Sequence, residues 1–117
     1  MKELLKELCL INGISGDESA VRENIISKIN GYCDYRVDNL GNLICFCKGK
    51  KSSDKKLMIC AHMDEVGFIV TYIKNDGTLC FGEVGGIDPS VIIGRQVTIG
   101  RNKISGIIGS KAVHNLS

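Results

Sequence analysis

Apolar residues at Met1, Leu4, Leu5 and Leu8 recur at helical spacing, which predicts a short amphipathic helix ending before Asn12-Gly13. Ser15-Gly16-Asp17-Glu18 then sets a serine and a glutamate three apart. That is capping-box spacing, so a second helix is expected to start there, with Ser15 capping its first amides and Glu18 reaching back to the cap. Val21, Ile25, Ile26 and Ile29 form its apolar stripe, facing a sheet, and Gly31 is placed to end it in a left-handed conformation. From Tyr32 the period shifts towards two. Residues 32–37 and 43–47 predict strands, joined into a hairpin by the turn-rich Asp38-Asn39-Leu40-Gly41-Asn42. The stretch 48–56, with five lysines among Gly, Ser and Asp, predicts a solvated loop.

The loop leads into the unbroken apolar run Leu57-Met58-Ile59-Cys60-Ala61. A short run of this kind predicts a strand buried on both faces, as found inside α/β sheets, with the stripe of the second helix packed on its sheet. Beyond Glu65 the texture changes. Residues 67–73, 78–81, 96–99 and 103–108 are short strand candidates, separated by the turn chemistry of Asn75-Asp76-Gly77, the loop Gly85-Gly86-Ile87-Asp88-Pro89, and Gly100-Arg101-Asn102. A helix-and-sheet half followed by an all-β half predicts two structural units meeting near Glu65.

Composition narrows the function classes. A chain of 117 residues that is 44% hydrophobic has ample material for a core. A net charge of +2 and 5% aromatic content argue against a nucleic-acid partner. No apolar stretch approaches the roughly 18 residues that span a bilayer. The N-terminus alternates charge with leucine instead of presenting a signal-peptide core, so a cytoplasmic location is expected. The six cysteines are then read as reduced thiols, Cys45 and Cys47 sharing one strand face and Cys60 lying in the apolar run.

The chemistry concentrates at His62 and Asp64, where the apolar run ends. Residues i and i+2 of extended backbone point to one side. Asp64 is therefore expected to reach the imidazole of His62, fix its tautomer and leave the other ring nitrogen free for a metal. A hydrogen-bonded structural histidine is the plainer alternative at such a position.

These pieces, in this order, resemble the N-terminal part of the M42 metallopeptidases, the glutamyl-aminopeptidase and tetrahedral-aminopeptidase group. The resemblance runs almost end to end. It rests on Gly13-Ile14-Ser15-Gly16-Asp17-Glu18, on Asp38-Asn39-Leu40-Gly41-Asn42, on Ala61-His62-Met63-Asp64-Glu65-Val66-Gly67-Phe68, and on Gly106-Ile107-Ile108-Gly109-Ser110-Lys111 followed by His114. It implies an α/β fold: the start of a mixed metallopeptidase sheet followed by part of an inserted all-β barrel. In the family the sheet carries two divalent metal ions, zinc or cobalt, and the barrel mediates dimer contacts. Residues 1–64 would open the catalytic domain and residues 65–117 would begin the insert. His62 matches the first metal-ligand histidine, and Asp64 matches the catalytic aspartate that orients its imidazole. His114 falls in a stretch where a structural role is implied.

The expected function is that of a metal-dependent aminopeptidase acting on peptide substrates and assembling as a homo-oligomer. The chain stops at Ser117, inside the expected barrel. The bridging aspartate, the other carboxylate ligands, the general-base glutamate and the second histidine are implied to come from later sequence, so the expectation is an N-terminal fragment inactive alone. The alternative is a non-catalytic assembly or interaction module derived from such an enzyme. Glycoside hydrolysis is disfavoured, because it needs two carboxylates placed across the scissile bond. Asp64 and Glu65, as strand neighbours, would face opposite ways.

Overall fold

The computed structural model describes residues 1–51 and 54–110. Expectations that fall on residues 52 and 53 of the lysine-rich stretch, or on residues 111–117 with Lys111 and His114, lie outside the described residues. Among the described residues two helices, α1 (Lys2–Cys9) and α2 (Ser19–Ile29), precede three antiparallel hairpins. The strands are β1 (Asp34–Val37), β2 (Leu43–Phe46), β3 (Gly67–Ile73), β4 (Leu79–Val84), β5 (Gln96–Ile99) and β6 (Ile104–Ile107), with a single 3-10 turn at Pro89–Val91. Helix and sheet are mixed, as an α/β chain requires. The chain divides into two compact units, Met1–Gly85 and Gly86–Ser117.

Helix α1 stops where expected, and α2 is tied to it by polar contacts: Asn24 Nδ2 donates to Glu7 Oε1 at 2.8 Å, and Lys28 Nζ lies 2.9 Å from Glu7 Oε2. Gly31 follows α2 with φ of +85°, the left-handed position that a residue without Cβ takes at no steric cost. Val21 is the buried side chain of α2, and burying it stabilises the unit by about 1.5–3 kcal/mol. In the second unit Ile108 is buried; its amide donates to the Arg95 carbonyl at 3.0 Å and its carbonyl accepts from the Gly94 amide at 2.8 Å.

The first two hairpins are closed by side-chain chemistry of their own turns, the third by a backbone bond from the Lys103 amide to the Gly100 carbonyl at 3.1 Å. Asp38 accepts the Leu40 and Asn42 amides through Oδ1, at 3.0 and 2.9 Å, and Asn42 Nδ2 through Oδ2. Asp76 accepts the Thr78 amide at 2.9 Å and the Thr78 hydroxyl at 2.6 Å. Between β3 and β4 the register slips between Val70 and Tyr72, leaving Thr71 as a bulge, while the rings of Phe68 and Phe81 meet edge to face at 4.8 Å.

Two expectations are corrected. Residues 57–61 form no interior strand: they belong to no ladder of the described residues, and Leu57, Met58 and Ile59 are 88%, 83% and 86% exposed. A run apolar on both faces becomes a strand only between neighbouring strands and under covering layers, and the described hairpins pair only within themselves. Ser15 does not cap α2, which begins four residues later behind Glu18. Ser15 donates instead to a carboxylate, a charge-assisted bond stronger than the cap it replaces. Glu18 reaches back not to Ser15 but to the Gly16 amide, at 2.7 Å.

The expected inserted barrel is not closed: the described β strands form separate two-stranded sheets, β1–β2, β3–β4 and β5–β6. No described helix is long and apolar enough to cross a membrane.

Candidate functional site

The segment carrying His62 and Asp64 is anchored by the loop between α1 and α2. Ile14 and Glu65 form a parallel bridge, the Glu65 amide donates to the Gly13 carbonyl at 2.7 Å, and the Gly13 amide donates to Glu65 Oε1 at 3.0 Å. Gly13 has to be small here. A Cβ at that position would stand 2.6 Å from Val21 Cγ2. The spacing from residue 13 to residue 65 thus rests on glycine against the stiff, β-branched Val21 of α2.

On this anchor Asp64 becomes the hub. His62 Nδ1 lies 3.0 Å from Asp64 Oδ1 and 3.1 Å from the Asp64 carbonyl oxygen, and Ser15 Oγ donates to Asp64 Oδ2. Both neighbours of His62 Nδ1 are acceptors, so in the neutral imidazole the proton belongs on Nδ1 and Nε2 keeps its lone pair. The imidazole is 85% exposed and Asp64 42%. The Ser15 hydrogen bond, opposed by partial desolvation and aided by His62, holds the Asp64 carboxyl below its ordinary range. Beside the pair lies an open, mainly apolar hollow of about 400 Å³, lined by Leu8, Ile11, Val21 and Ile25 together with residues 62–65.

His62 and Asp64 therefore meet as their i and i+2 spacing requires, although no strand carries them. Ser15 is the residue that sequence reading missed. It lies 49 positions from Asp64, and no local periodicity reports such a contact.

The donor set limits what the site can hold. Among the described residues no three His, Cys, Asp or Glu side chains come together in a way that could hold a metal ion. A catalytic zinc normally takes three protein ligands. His62 Nε2 offers one, and both Asp64 oxygens are already engaged, so these residues by themselves do not fit the ion that the resemblance implies.

Comparison with known proteins gives the class. Residues 41–117 match the family model described as M42 glutamyl aminopeptidase. The chain belongs to the M42 family. It is similar to a candidate aminopeptidase of Acetivibrio thermocellus, 45% identical over 109 residues, covering 92% of this chain and 32% of the relative. Among solved structures, the TET1 peptidase of Pyrococcus horikoshii, described as assembling into a tetrahedron or a large octahedral shell, superposes with a TM-score of 0.80 at 39% identity, covering 97% of this chain and 34% of that one. A Thermotoga maritima protein described as an endoglucanase superposes with a TM-score of 0.82 at 47% identity, covering 90% of this chain and 33% of that one. The chain spans about a third of the length of the curated relatives it matches.

Proposed function

We propose that this chain supplies the opening part of a metal-dependent aminopeptidase that removes N-terminal residues from peptides. His62 is its metal ligand through Nε2, and Asp64 is the catalytic aspartate that holds the imidazole. The observation that carries the reading is the 3.0 Å contact between His62 Nδ1 and Asp64 Oδ1, made in an exposed ring whose Nε2 bonds no described residue. A carboxylate behind a ligating histidine fixes its orientation and raises its basicity. The complete site takes divalent metal, zinc or cobalt, two ions, with the remaining ligands and the general base supplied by sequence beyond these residues. Residues 1–64 form the start of the catalytic domain and residues 65–117 the start of the β-barrel insert. The assemblies described for TET1 support a homo-oligomer built through that insert. A cytoplasmic location is part of this reading.

The polypeptide alone is not a competent peptidase, because one imidazole leaves most of the coordination sphere to water. Purified chain assayed with aminoacyl chromogenic substrates under added zinc or cobalt is expected to show no turnover that His62→Ala abolishes. Metal-dependent turnover lost in that variant would overturn the fragment reading and require ligands from a neighbouring subunit. A second reading, a non-catalytic assembly module, is favoured by the exposure of Tyr72 (62%) and Ile107 (77%) on the β strands. Metal analysis separates the two: zinc or cobalt bound in a His62-dependent way supports the enzyme reading, and self-association without it supports the module. The endoglucanase description fits the site poorly. Asp64 is committed to His62 and Ser15, and Glu65 to the Gly13 amide, which leaves no pair of free carboxyls facing a sugar.

A further inference from the structure

The β1–β2 hairpin carries a second chemical feature, separate from the His62 site. Its register pairs Asp34 with Phe46, Tyr35 with Cys45, Arg36 with Ile44 and Val37 with Leu43. Continued one step beyond its last pair, this register would set Cys33 opposite Cys47, and the Cys33 thiol is hydrogen-bonded to both Cys47 and Cys45. Side chains alternate across a strand, so Cys33, Cys45 and Cys47 share one hairpin face. All three are free thiols, Cys33 half-buried and the other two exposed. At the turn end the Asp38 amide donates to the Asn42 carbonyl at 3.1 Å. Antiparallel pairs alternate between bonded and non-bonded types, so Cys33 and Cys47 fall at a non-hydrogen-bonded position, where opposing side chains approach closest.

We propose that Cys33 and Cys47 are a thiol pair poised to close into a cross-strand disulfide when a low-molecular-weight disulfide of the glutathione type is presented. Directly opposed strand residues stand about 4.5–5.5 Å apart and diagonal ones roughly 7–8 Å, while a disulfide needs Cα atoms within roughly 7 Å. Register thus favours Cys47; Cys45 also hydrogen-bonds the Cys33 thiol, with a smaller effect, but faces Tyr35 and lies diagonal to Cys33. Burial, followed by the interactions with Cys47 and then with Cys45, pushes the Cys33 thiol up to about 11. A thiol held protonated is a poor opening nucleophile, so the first attack falls to the exposed Cys47.

The steps balance. Cys47 loses its proton, its sulfur attacks one sulfur of the small disulfide, and the expelled thiolate takes up that proton. Cys33 then loses its proton and attacks the Cys47 sulfur of the mixed disulfide, expelling the second thiolate, which is protonated in turn. Two protein thiols are oxidised to one disulfide, and one small disulfide is reduced to two thiols.

The test uses the whole chain, reduced and purified without oxygen, then titrated with oxidised glutathione and quenched with iodoacetamide. Chymotryptic cleavage after Phe46 separates Cys45 from Cys47 for mass spectrometry. The expected product is a Cys33–Cys47 linked peptide in several-fold excess over any other pairing. Cys33→Ser should instead accumulate a stable glutathione adduct on Cys47. The same oxidation in concentrated guanidinium serves as the reference, since an unfolded chain has no register to favour residues 33 and 47. Loss of the Cys33–Cys47 product there, with its retention in native protein, supports the proposal without relying on the variant. Even scatter over the six cysteines, a dominant Cys33–Cys45 bond, or intermolecular dimers in the native protein would overturn it.

Discussion

The hairpin β1–β2 closes over residues 38–42, where one aspartate accepts two backbone amides and an asparagine side chain within a few positions of itself. Residues 57–61 are as uniformly apolar as strand β2, Leu43–Phe46, yet they pass through the first unit in no strand and leave Leu57, Met58 and Ile59 in water. Hydrophobicity alone did not make an element. The hairpin forms because its register and turn are specified locally, so little chain entropy opposes closing it. An interior strand has no such local closure. It depends on partners far away in sequence, and the backbone bonds that anchor this segment come only at Glu65, held by Gly13.

The sharpest way to break this contrast is Gly13→Ala. A methyl there meets Val21 Cγ2 at 2.6 Å, and the branched side chain in a helix has little freedom to turn aside. A loss of about 1–3 kcal/mol is expected from overpacking, read by denaturant titration, together with faster hydrogen exchange of the Glu65 amide. An unchanged midpoint would show that the anchor is not close-packed. Gly67→Ala is the sharpening partner. Its Cβ would meet Ile14 Cδ1, also at 2.6 Å, but that is the far end of a side chain able to rotate, so a clearly smaller loss is expected.

Local turn chemistry predicts the next effect. Gly77 closes β3–β4 with φ of +83° and open space around it, so Gly77→Ala tests backbone conformation without a clash. It should cost about 1–2 kcal/mol, seen as a lowered midpoint. A third test uses acid. Hydrogen bonds from the Asn42 side chain first, then from the Asn42 and Leu40 amides, hold the Asp38 carboxyl below its ordinary range. A depressed folded-state pKa stabilises the fold above the unfolded value of roughly 4, and that contribution is lost as pH falls through the folded value. Asp38→Asn should flatten this part of the acid limb of the stability profile. A profile as steep as that of the parent would place the acid sensitivity elsewhere.

The smallest expected effect belongs to the apolar run. Leu57→Asn should change stability by no more than about 0.5 kcal/mol in this chain, as for other exposed positions. A loss of several times that size would mean that the run is packed after all, and the contrast with the hairpins would collapse.

These same distinctions explain what was legible in the sequence. The hairpins over 34–46, 67–84 and 96–107 follow from alternation and turn residues, and Gly31 takes its left-handed position, because each is decided within a few residues. The contact between His62 and Asp64 was legible for the same reason. Ser15 was not. Its spacing to Glu18 satisfies a capping rule, but a carboxylate 49 positions away outcompetes the helix end for its hydroxyl. The run at 57–61 misled in the opposite direction, since its composition states what the segment needs and says nothing of whether the partners are present.

The exposed run also bears on how this polypeptide behaves at high concentration. Leu57-Met58-Ile59-Cys60-Ala61 is uncharged, free of proline and glycine, and rich in residues that stack well in extended form. Segments of that make-up template cross-β aggregation when left in water. Lys55 and Lys56 on the upstream side, and Asp64 with Glu65 a few residues downstream, act as gatekeepers whose like charges would be brought into register by any growing fibril. Solubility of the isolated chain should therefore fall steeply with added salt, and neutralising Lys55 and Lys56 together should shorten the lag before thioflavin-positive aggregates appear.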